Sequence, residues 1–511
     1  NTPAAAQTLS IVSGSENQTL EPLIQQWAKD KGYVVQITYL GSLDIARMLQ
    51  SGNVPYDAVW PANRLWLDYG DTQNLVHNDQ SILRSPVVFG VKRAIAERLG
   101  WTTKDVFMKD ILEATESGAI RFMMTSATQS NSGASFYFAA LSAFAGSPDV
   151  LTAKDLDNAD VQTDISSILG SVNRSSGSSG WLKTLFMSQY DRYDAMVNYE
   201  SVIIEANVEL EKSGRDPLYA IYPVDGLAIA DSPLGYIPHE VQEKEAIFLA
   251  LQTYLISEPV QKQLMQLGRR TSLLGLKVDN ADTAVFRTDW GIDVNRTLQP
   301  IRFPTRDVIQ QALTLYQIAF RKPSCTAYVL DFSGSMTSNN GEVQLKEAMR
   351  TLLNQDVATQ YLLQGHPGDV SLVILFNGDV INANELDQWT VEGNDPDELL
   401  RLYTQLSAVN ADGNTNIFDS TRLALTELKT LRTEDCLPSV IVMTDGQDNA
   451  GDWNALQQYI NSAENDIPVF VITFGAADQT QLEPIINLTY GRIFNGTSDL
   501  VTAFRDAKGY N

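Results

Sequence analysis

A short turn after one apolar run carries a carboxylate and two hydroxyls at alternate positions. Asp331, Ser333 and Ser335 lie in the sequence Asp-Phe-Ser-Gly-Ser, directly after the stretch TAYVL. A tight turn can direct three alternate side chains to one point, and Gly334 leaves the backbone room to bend. Oxygen ligands of this kind suit one hard divalent cation, Mg²⁺ or Ca²⁺, with Mn²⁺ as a further option. The turn therefore predicts a cation site with positions left for water or an incoming carboxylate.

Clusters of Ser, Gly and Asn in the N-terminal half form a second candidate site. They occupy positions 13–15, 41–42 and 130–133, each between a predicted strand and a predicted helix. Helix N-termini offer unpaired N–H groups and a partial positive charge, so hydroxyls beside them complete a cradle for an anion. Plain N-capping is the simpler reading of any single cluster, whereas several clusters together favour one shared cleft. The residues assigned to this cleft are Ser15, Ser42, Ser132 and Tyr199, with Glu200, Tyr222 and Asp225 as further candidates.

Two carboxylates in that set conflict with a simple oxyanion site. Glu200 and Asp225 would repel an oxyanion unless a cation or a proton intervened. They are either surface groups or signs of a cationic, hydroxylated or metal-containing ligand. The sequence leaves the identity of the small ligand open.

The elements that must position these residues alternate between strand and helix throughout the chain. Apolar strands and helical segments alternate up to about residue 270, which predicts layered α/β lobes. From Ser324 a second cycle has six predicted strands, including a short polar one near 379–383, and predicts a doubly wound domain. In the strand order 3-2-1-4-5-6 the first and fourth strands are neighbours. Asp331 and Asp445 would then flank the crevice where such folds bind ligands.

The N-terminal segments resemble one known family. The run Leu9–Asp68, the segment Thr125–Leu141 (TSATQSNSGASFYFAAL) and the late helix Ile256–Arg270 are similar to bacterial extracytoplasmic solute-binding proteins of type II, the molybdate/sulfate-receptor-like kind. The resemblance implies two α/β lobes, joined by crossing strands, that close on a small molecule. The predicted organisation is a two-lobed domain over 1–270 with its second lobe at about 119–221, a connector over 271–323 and a third domain over 324–511.

The C-terminal region resembles another family. The pattern D-x-S-x-S, then a Thr after a Gly-rich turn, then T-D-G, closely resembles the metal-ion-dependent adhesion site of von Willebrand factor A domains. The resemblance implies a fixed ligand set around one divalent cation, and a partner protein's Asp or Glu that completes the coordination. That set is Asp331, Ser333, Ser335, Thr415 and Asp445. Phe332 and Asn414 depart from the usual pattern without removing a ligand. The alternative is a fold that kept the turn after losing the metal.

Composition excludes several partners. The 511 residues carry 37 Lys and Arg against 62 Asp and Glu, a formal net charge of −25. Such a chain repels phosphate backbones and anionic lipid heads, so we expect no nucleic-acid partner. No apolar run approaches the roughly 20 residues of a transmembrane segment. The opening NTPAAAQTLS is typical of the loose leader of a mature or trimmed protein.

The two cysteines bear on the compartment. Cys325 begins the first strand of the C-terminal domain and Cys436 lies just before the fourth, at the end opposite the predicted metal. A disulfide between them would fit an oxidising, extracytoplasmic location, and two buried thiols are the alternative. We expect a protein of the bacterial cell surface or periplasm, a secreted protein, or a trimmed lipoprotein.

Binding, and not catalysis, is the function that these signals favour. The chain has no G-x-x-x-x-G-K-[ST], G-x-S-x-G or C-x-x-C motif. The main hypothesis is a non-enzymatic extracytoplasmic protein whose lobes capture a small solute and whose A domain engages a protein partner through the cation. The alternative is a receptor that delivers solute to an ABC importer, with the A domain as a docking accessory. An enzyme that uses the metal as a Lewis acid ranks last.

The connector, with Trp290 and Phe303, is too apolar for a free tether and is expected to pack against its neighbours.

Overall fold

The chain divides into two units between Ala312 and Leu313. The computed structural model describes residues 8–239, 242–271, 282–338, 340–431, 435–462, 465–475, 477, 479–497 and 499–510. No helix within those ranges has both the length and the apolarity that crossing a membrane requires.

The first unit contains two sheets with helices around them. Its strands are β1 Thr8–Ser13, β2 Val34–Tyr39, β3 Ala58–Trp60, β4 His77–Ser81, β5 Ser85–Lys92, β6 Phe122–Thr125, β7 Val172–Ser176, β8 Ala195–Tyr199, β9 Leu218–Ile221, β10 Ile229–Ala230 and β11 Pro233–Tyr236. Its helices are α1 Glu21–Lys31, α2 Ser42–Ser51, α3 Leu65–Gly70, α4 Arg93–Arg98, α5 Met108–Glu116, α6 Asn131–Phe144, α7 Ala153–Leu156, α8 Ala159–Gly170, α9 Ser179–Ser188, α10 Glu200–Lys212, α11 Gln242–Leu255 and α12 Glu258–Gln266, and α13 Arg306–Leu315 runs across the boundary between the units.

The first lobe is built on the sheet β2-β1-β3-β11-β4. β1 is parallel to both of its neighbours, so its carboxyl end and theirs open at one edge. Leu9 and Ile11 are fully buried and join Trp27 and Phe248 in one core cluster, which fixes α1 and α11 against the sheet. The polar clusters that follow β1 and β2 are thereby held at the open edge.

The second lobe is built on the sheet β10-β5-β8-β6-β7, with β9 also paired to β5. Seven of the eight residues of β5 are buried, which is typical of a strand covered on both faces. β5 pairs with β8 and β9, so this lobe begins near residue 85 and is wider than the predicted 119–221. The sequence pattern missed this because the central run of β5, PVVFGV, has no polar residue and fits a strand of either lobe.

The chain crosses between the lobes at three places that lie side by side. The first two crossings are 81–85, from β4 to β5, and 230–233, from β10 to β11. At the third, the backbones of Arg84 and Arg270 exchange hydrogen bonds of 2.7 and 2.9 Å. We call these three segments the hinge.

The connector packs on the second lobe over much of its length. Phe286, Trp290, Ile292 and Leu298 are buried in that lobe's core, and the Ile301 amide donates to the Leu227 carbonyl at 2.8 Å. Residues 272–281 of the predicted connector lie outside the described residues. The described part up to Ala312 therefore belongs to the first unit, and no free tether runs through it.

The second unit contains the other sheet. Its strands are β12 Ser324–Asp331, β13 Val370–Phe376, β14 Thr390–Glu392, β15 Leu437–Thr444, β16 Val469–Thr473 and β17 Arg492–Asn495. Its remaining helices are α14 Gly341–Leu353, α15 Gln355–Tyr361, α16 Pro396–Ser407, α17 Ile417–Leu431, α18 Trp453–Ser462, α19 Gln479–Thr489 and α20 Leu500–Lys508.

The order of this sheet is β14-β13-β12-β15-β16-β17, which is the predicted 3-2-1-4-5-6. All eight residues of β12 are buried, and β13 and β15 flank it in parallel. The third strand lies at Thr390–Glu392 and not near 379–383, so that expectation was wrong. The polar segment makes only an isolated bridge between Phe376 and Val380, because the chain turns back there.

A buried ion pair fixes the start of β12. Both Asp369 carboxylate oxygens accept from the Arg321 guanidinium at 2.9 and 2.6 Å, and the amides of Ser324 and His366 donate to the same carboxylate. Burial alone would raise the pKa of Asp369, but the charge of Arg321 and these hydrogen bonds hold it well below its usual range. The Asp369 carboxylate is therefore stable in its charged form although it is buried.

Asp369→Asn should destabilise the second unit by about 3–5 kcal/mol, because Arg321 would stay buried without its counter-charge. Acid should also destabilise the second unit. The ion pair contributes its full stabilisation above the ordinary Asp pKa of about 3.9, and this contribution is lost as the pH falls below that value. Hydrogen exchange of β12 and β13 amides measures both effects. Asp356→Asn, at an exposed position of α15, is the control and should leave exchange unchanged. Equal protection in the two variants would contradict a stabilising role for the pair.

Candidate metal centre and interlobe cleft

The carboxyl end of β12 positions the first predicted metal ligand. Asp331 is the last residue of this buried strand, and its side chain has no solvent exposure. Its Oδ1 accepts from the Ser333 amide at 2.8 Å, and its Oδ2 accepts from the Thr444 hydroxyl at 2.6 Å. The strand pairing of β12 with β15 thus holds this carboxylate beside the residue that precedes Asp445.

The other predicted ligands converge on the same point. Ser333 Oγ lies 3.1 Å from Ser335 Oγ, and the Ser335 hydroxyl lies 2.7 Å from Asp445 Oδ1, to which it donates. A Cβ on Gly446 would lie 3.3 Å from Ser335 Oγ and 3.5 Å from Thr415 Oγ1, so both hydroxyls approach this glycine. The structure therefore brings together all five residues of the predicted set.

The loop that carries Thr415 is held from both sides. The Gly334 amide donates to the Gly413 carbonyl at 2.9 Å, and the Thr415 amide donates to Asn449 Oδ1 at 2.9 Å. Gly413 has a φ of +82°, a conformation that favours glycine. The loop reaches its place with Asn414 in the position where the family pattern commonly has Gly.

The chemistry of this donor set fits a hard divalent cation. Burial, with a smaller contribution from the nearby Asp445 charge, raises the pKa of Asp331 to about 6 against the lowering effect of its hydrogen bonds, and burial also raises the pKa of Asp445. A bound cation would offset both effects by favouring the charged carboxylates. Within the described residues, no three His, Cys, Asp or Glu side chains form a metal-binding group, so hydroxyl ligands are needed to complete a site. Carboxylate and hydroxyl oxygens are the ligands that Mg²⁺ and Ca²⁺ take.

In the first unit the two lobes are in contact around a polar cleft. Ser15 Oγ accepts from Ser178 Oγ at 3.0 Å and from the Gly180 amide at 3.3 Å, at the N-terminus of α9. Trp66 Nε1 donates to Asn131 Oδ1 at 2.7 Å. These contacts join the first lobe to the starts of two helices of the second lobe.

One carboxyl oxygen in the turn that carries Ser15 has no hydrogen-bond partner among the described residues. Glu16 Oε1 is buried and makes no hydrogen bond within the described part of the chain. Burial raises the pKa of Glu16 to about 7, and a backbone hydrogen bond and the charge of Arg269 lower it only in part. The raised pKa makes the protonated form of Glu16 more accessible than that of an exposed glutamate, so this group can accept from a ligand or donate to one.

Tyr199 supplies a neutral phenol near that carboxyl. Burial, and after it the charge of Glu16, raises the pKa of Tyr199 well above its usual value. Its oxygen accepts from Asn131 Nδ2 at 3.0 Å, so the phenol keeps its own O–H proton for donation. A buried donor and a buried acceptor thus lie in the same cleft.

Two of the predicted serines already have internal partners. Ser42 Oγ accepts from the Ala62 amide at 3.0 Å, and Ser132 Oγ lies 2.9 Å from Thr125 Oγ1. Both stand at the starts of helices, α2 and α6, on the edges of the two lobes. Neither hydroxyl caps its own helix: Ser42 bonds to the segment that follows β3, and Ser132 bonds to the last residue of β6.

Two known families together cover most of the chain. Residues 9–270 match the family described as bacterial extracellular solute-binding protein, which is more than half of the 511 residues. The chain belongs to the bacterial extracellular solute-binding proteins. Residues 327–502 match the von Willebrand factor type A domain, and this domain forms the second unit. Both resemblances predicted from the sequence, and the fold classes they imply, are confirmed.

Several solved structures are similar to parts of this chain at low identity. The sulfate-binding protein SubI from Mycobacterium tuberculosis H37Rv is 16% identical over 60% of this chain and 96% of its own, with a TM-score of 0.40. The periplasmic binding protein AfuA from Actinobacillus pleuropneumoniae is 12% identical over 61% and 98%, with a TM-score of 0.45. The von Willebrand factor type A protein from Catenulispora acidiphila is 17% identical over 38% of this chain, which spans only 44% of that protein's length, with a TM-score of 0.32. No curated protein matches the chain.

Three predicted ligand residues of this solute-binding protein have structural roles instead. Both Glu200 oxygens accept from Arg270, at 2.8 and 2.7 Å, and Tyr222 donates to the same carboxylate. Glu200 and Arg270 are fully buried. Asp225 accepts from the Met108 amide at 2.9 Å, at the start of α5. The conflict between these carboxylates and an oxyanion disappears because both are satisfied within the protein.

Sequence reasoning missed Glu16, Asn131 and Ser178. Glu16 directly follows the predicted Ser15, and a carboxylate in a helix-start cluster was the available signal. Asn131 lies inside a cluster that was identified, but its contact with Trp66 depends on the packing of two lobes. Ser178 belongs to the segment RSSGSSG, whose composition is that of an exposed loop, whereas the structure places it at the N-terminus of α9.

Glu200→Gln should destabilise the first unit by about 3–5 kcal/mol, because Arg270 would stay buried without a counter-charge. Urea unfolding followed by tryptophan fluorescence measures this loss. Glu209→Gln is the matched control on the same helix: Glu209 pairs with Lys183 at the surface, and such pairs contribute about 0–1 kcal/mol. A Glu200→Gln protein as stable as the control would return Glu200 to the candidate ligand residues.

Gly41→Ala should keep the lobes apart, because a Cβ at this position would lie 2.2 Å from the Gln129 carbonyl oxygen of the other lobe. Spin labels on cysteines introduced at the exposed positions Lys31 and Lys154 would report the distance between lobes, which should shift to longer values. Gly170→Ala, where a Cβ would meet nothing within 4 Å, is the control. Identical distance distributions in the two variants would show that the lobes do not approach each other at Gly41.

Proposed function

We propose that this solute-binding protein captures a small polar solute between its lobes and docks a protein partner through a cation on its von Willebrand factor A domain. The observation that carries the solute site is the buried Glu16 carboxyl oxygen, which has no partner among the described residues. An unsatisfied buried polar group costs free energy, and a ligand that bonds to it recovers that cost.

The groups around Glu16 define the chemistry of the solute. Glu16 accepts from a hydroxyl or ammonium group, while Tyr199 donates its phenolic proton to an oxygen of the ligand. The starts of α6 and α9 contribute a partial positive charge that favours an oxyanion or another electron-rich oxygen nearby. The amides of Gly133, Gly180 and Trp181 already donate to side-chain hydroxyls, so this contribution is electrostatic. A small molecule with both hydroxyl and oxyanion groups would satisfy all of them.

The second unit contributes the docking site. Asp331, Ser333, Ser335, Thr415 and Asp445 would hold one Mg²⁺, Ca²⁺ or Mn²⁺. The bound cation would supply an open coordination position for a carboxylate oxygen of a partner protein. The chain's own contribution is to hold the hydroxyls: Asp445 orients Ser335, and Asn449 fixes the backbone of Thr415.

Binding fits this centre better than turnover does. A hydrolytic use of Ser333 or Ser335 needs a general base, and His is the most frequent one. His366 contacts the Ala319 carbonyl and the Gly368 amide, close to Asp369 at the start of β13. Asp331 lies at the other end of the neighbouring strand, so this histidine does not serve the centre.

An extracytoplasmic location is consistent with the covalent structure. A disulfide joins Cys325 and Cys436, whose Cα atoms are 5.8 Å apart at the starts of β12 and β15. Disulfides persist in oxidising compartments, which for a bacterial protein are the periplasm, the cell surface and the medium. Delivery of the same solute to an ABC importer is the second candidate function, and the solute-binding family favours it. Co-purification with a permease would select that function.

Titration with Mn²⁺, followed by electron paramagnetic resonance of the free ion, tests the docking centre. One saturable Mn²⁺ should bind, and Mg²⁺ should displace it. Asp331→Asn and Ser335→Ala should each raise the dissociation constant by at least about tenfold, since each removes an oxygen ligand. The control is Asp379→Asn, which changes an exposed carboxylate on the loop after β13.

Equal Mn²⁺ affinity in all three variants would rule out the proposed ligand set. The solute half is tested separately, by the melting temperature with oxyanions and polyols. A polyol or oxyanion shift that Glu16→Gln abolishes supports the cleft, and a shift that survives this change places the solute elsewhere.

A further inference from the structure

A second cavity lies at the hinge of the first unit, apart from the interlobe cleft. Its volume is about 590 Å³. Its walls are α3 of the first lobe, the hinge residues Arg84 and Asp231, and the connector from Pro300 to Ile309. Ser15, Glu16 and Tyr199 do not line it. We call this cavity the hinge pocket, and its volume is that of a site for a small organic molecule.

The charges that line the hinge pocket differ in sign from the chain as a whole. Among the described residues, four arginines face two aspartates there, although the net charge of the chain is −25. The arginines are Arg64, Arg84, Arg302 and Arg306, and the aspartates are Asp68 and Asp231. A local excess of guanidinium groups in so acidic a chain marks a place that attracts an anion.

Two of these arginines form no ion pair with a carboxylate of the described residues, although the charge of one of them, Arg306, offsets part of the rise that burial causes in the pKa of the nearby Asp68 carboxyl. No hydrogen bond or ion pair with the described residues engages the Arg302 side chain, which is exposed. The Arg306 guanidinium donates at 2.8 Å to the backbone carbonyl of Asp68, a neutral acceptor. Arg64, in contrast, pairs with Asp79 and lies 4.0 Å from Asp231. The positive charge available to a ligand therefore comes from the connector.

The start of α13 adds to this potential. α13 begins at Arg306 and is ten residues long, and the residues before it, Pro304 and Thr305, line the hinge pocket. A helix N-terminus carries unpaired N–H groups and a partial positive charge. Arg302 and Arg306 line the same cavity, so their positive charges and the start of α13 lie along one wall.

Apolar side chains form the rest of the wall. Leu65, Tyr69, Ile229, Phe303 and Ile309 line the hinge pocket. Inorganic phosphate needs no such surface, and a purely apolar molecule needs no arginines. The combination matches an apolar body that carries one anionic group, which guanidinium binds well as a carboxylate or phosphate.

We propose that the hinge pocket is a second ligand site, which takes a small organic anion with a carboxylate or phosphate group on an apolar body. Arg302 and Arg306 bind the anionic group, and Phe303, Ile229 and Tyr69 cover the body. Because hinge and connector residues share the wall, an occupied pocket ties the connector to the segments that join the lobes. This site is independent of the solute proposed for the cleft.

Calorimetric titration of the full chain with phenyl phosphate and with benzoate tests the proposal. At least one of them should bind saturably, while benzyl alcohol, which has the same ring without the charge, should bind at least tenfold more weakly. Arg302→Gln with Arg306→Gln should raise the dissociation constant at least tenfold. Arg98→Gln, at an exposed position at the end of α4, is the matched control and should leave it unchanged.

Two further measurements distinguish binding in the hinge pocket from binding in the cleft and from a loss of folding. Glu16→Gln alters the cleft and should not change phenyl phosphate affinity. Arg302→Gln alone changes an exposed side chain. This variant should therefore bind phenyl phosphate more weakly while it keeps the wild-type melting temperature. The proposal is overturned if neither anion binds saturably, if the double variant binds like wild type, or if Glu16→Gln abolishes binding.

Discussion

In parallel strands that are buried on both faces, polar side chains that bind ligands can lie only at the ends of the strands. β12 shows the constraint most clearly: its residues are all buried, and the last of them is the carboxylate Asp331. β1 follows the same rule, because its buried end leads into Gly14, Ser15 and Glu16. Both candidate sites therefore occupy the edge at which neighbouring parallel strands end together. The sheet order then decides which polar groups meet there.

Buried ion pairs hold the hinge segments in place, just as the strand order of each sheet decides which polar groups meet at the strand ends. Arg270 is fully buried and is tolerated because Glu200 of the second lobe supplies a bidentate counter-charge. The neighbouring Arg269 joins Glu205 to the backbone oxygen of Glu16. A hinge residue thus contacts the turn that carries the cleft carboxyl. Removing one partner of either pair would leave an uncompensated charge inside the protein, which is costly.

The two proposed ligand sites of the first unit differ in how their polar groups are satisfied. In the cleft several groups bond to one another across the lobes, whereas Glu16 Oε1 has no partner within the described chain. In the hinge pocket the excess of guanidinium groups comes from the connector, which packs along the lobes through Phe286 and Trp290. The connector is therefore part of the first unit's chemistry as well as the covalent path to the A domain.

The sequence by itself determined the two fold classes and the sheet order of the A domain, because strand and helix periodicity and short motifs such as D-x-S-x-S are local. It also singled out the five oxygen-bearing residues at the candidate metal centre. Only the tertiary structure decided that Glu200 and Asp225 are structural, that β5 belongs to the second lobe, and that Arg302 and Arg306 share a cavity with hinge residues. The third strand of the A domain was predicted at the wrong residues for a related reason. Its pairing with β13 could not be inferred from the polarity of its own residues. A carboxylate looks the same in sequence whether its partner is a ligand or an arginine 70 residues away. Folding brings such partners into contact, and their separation along the sequence does not indicate that contact.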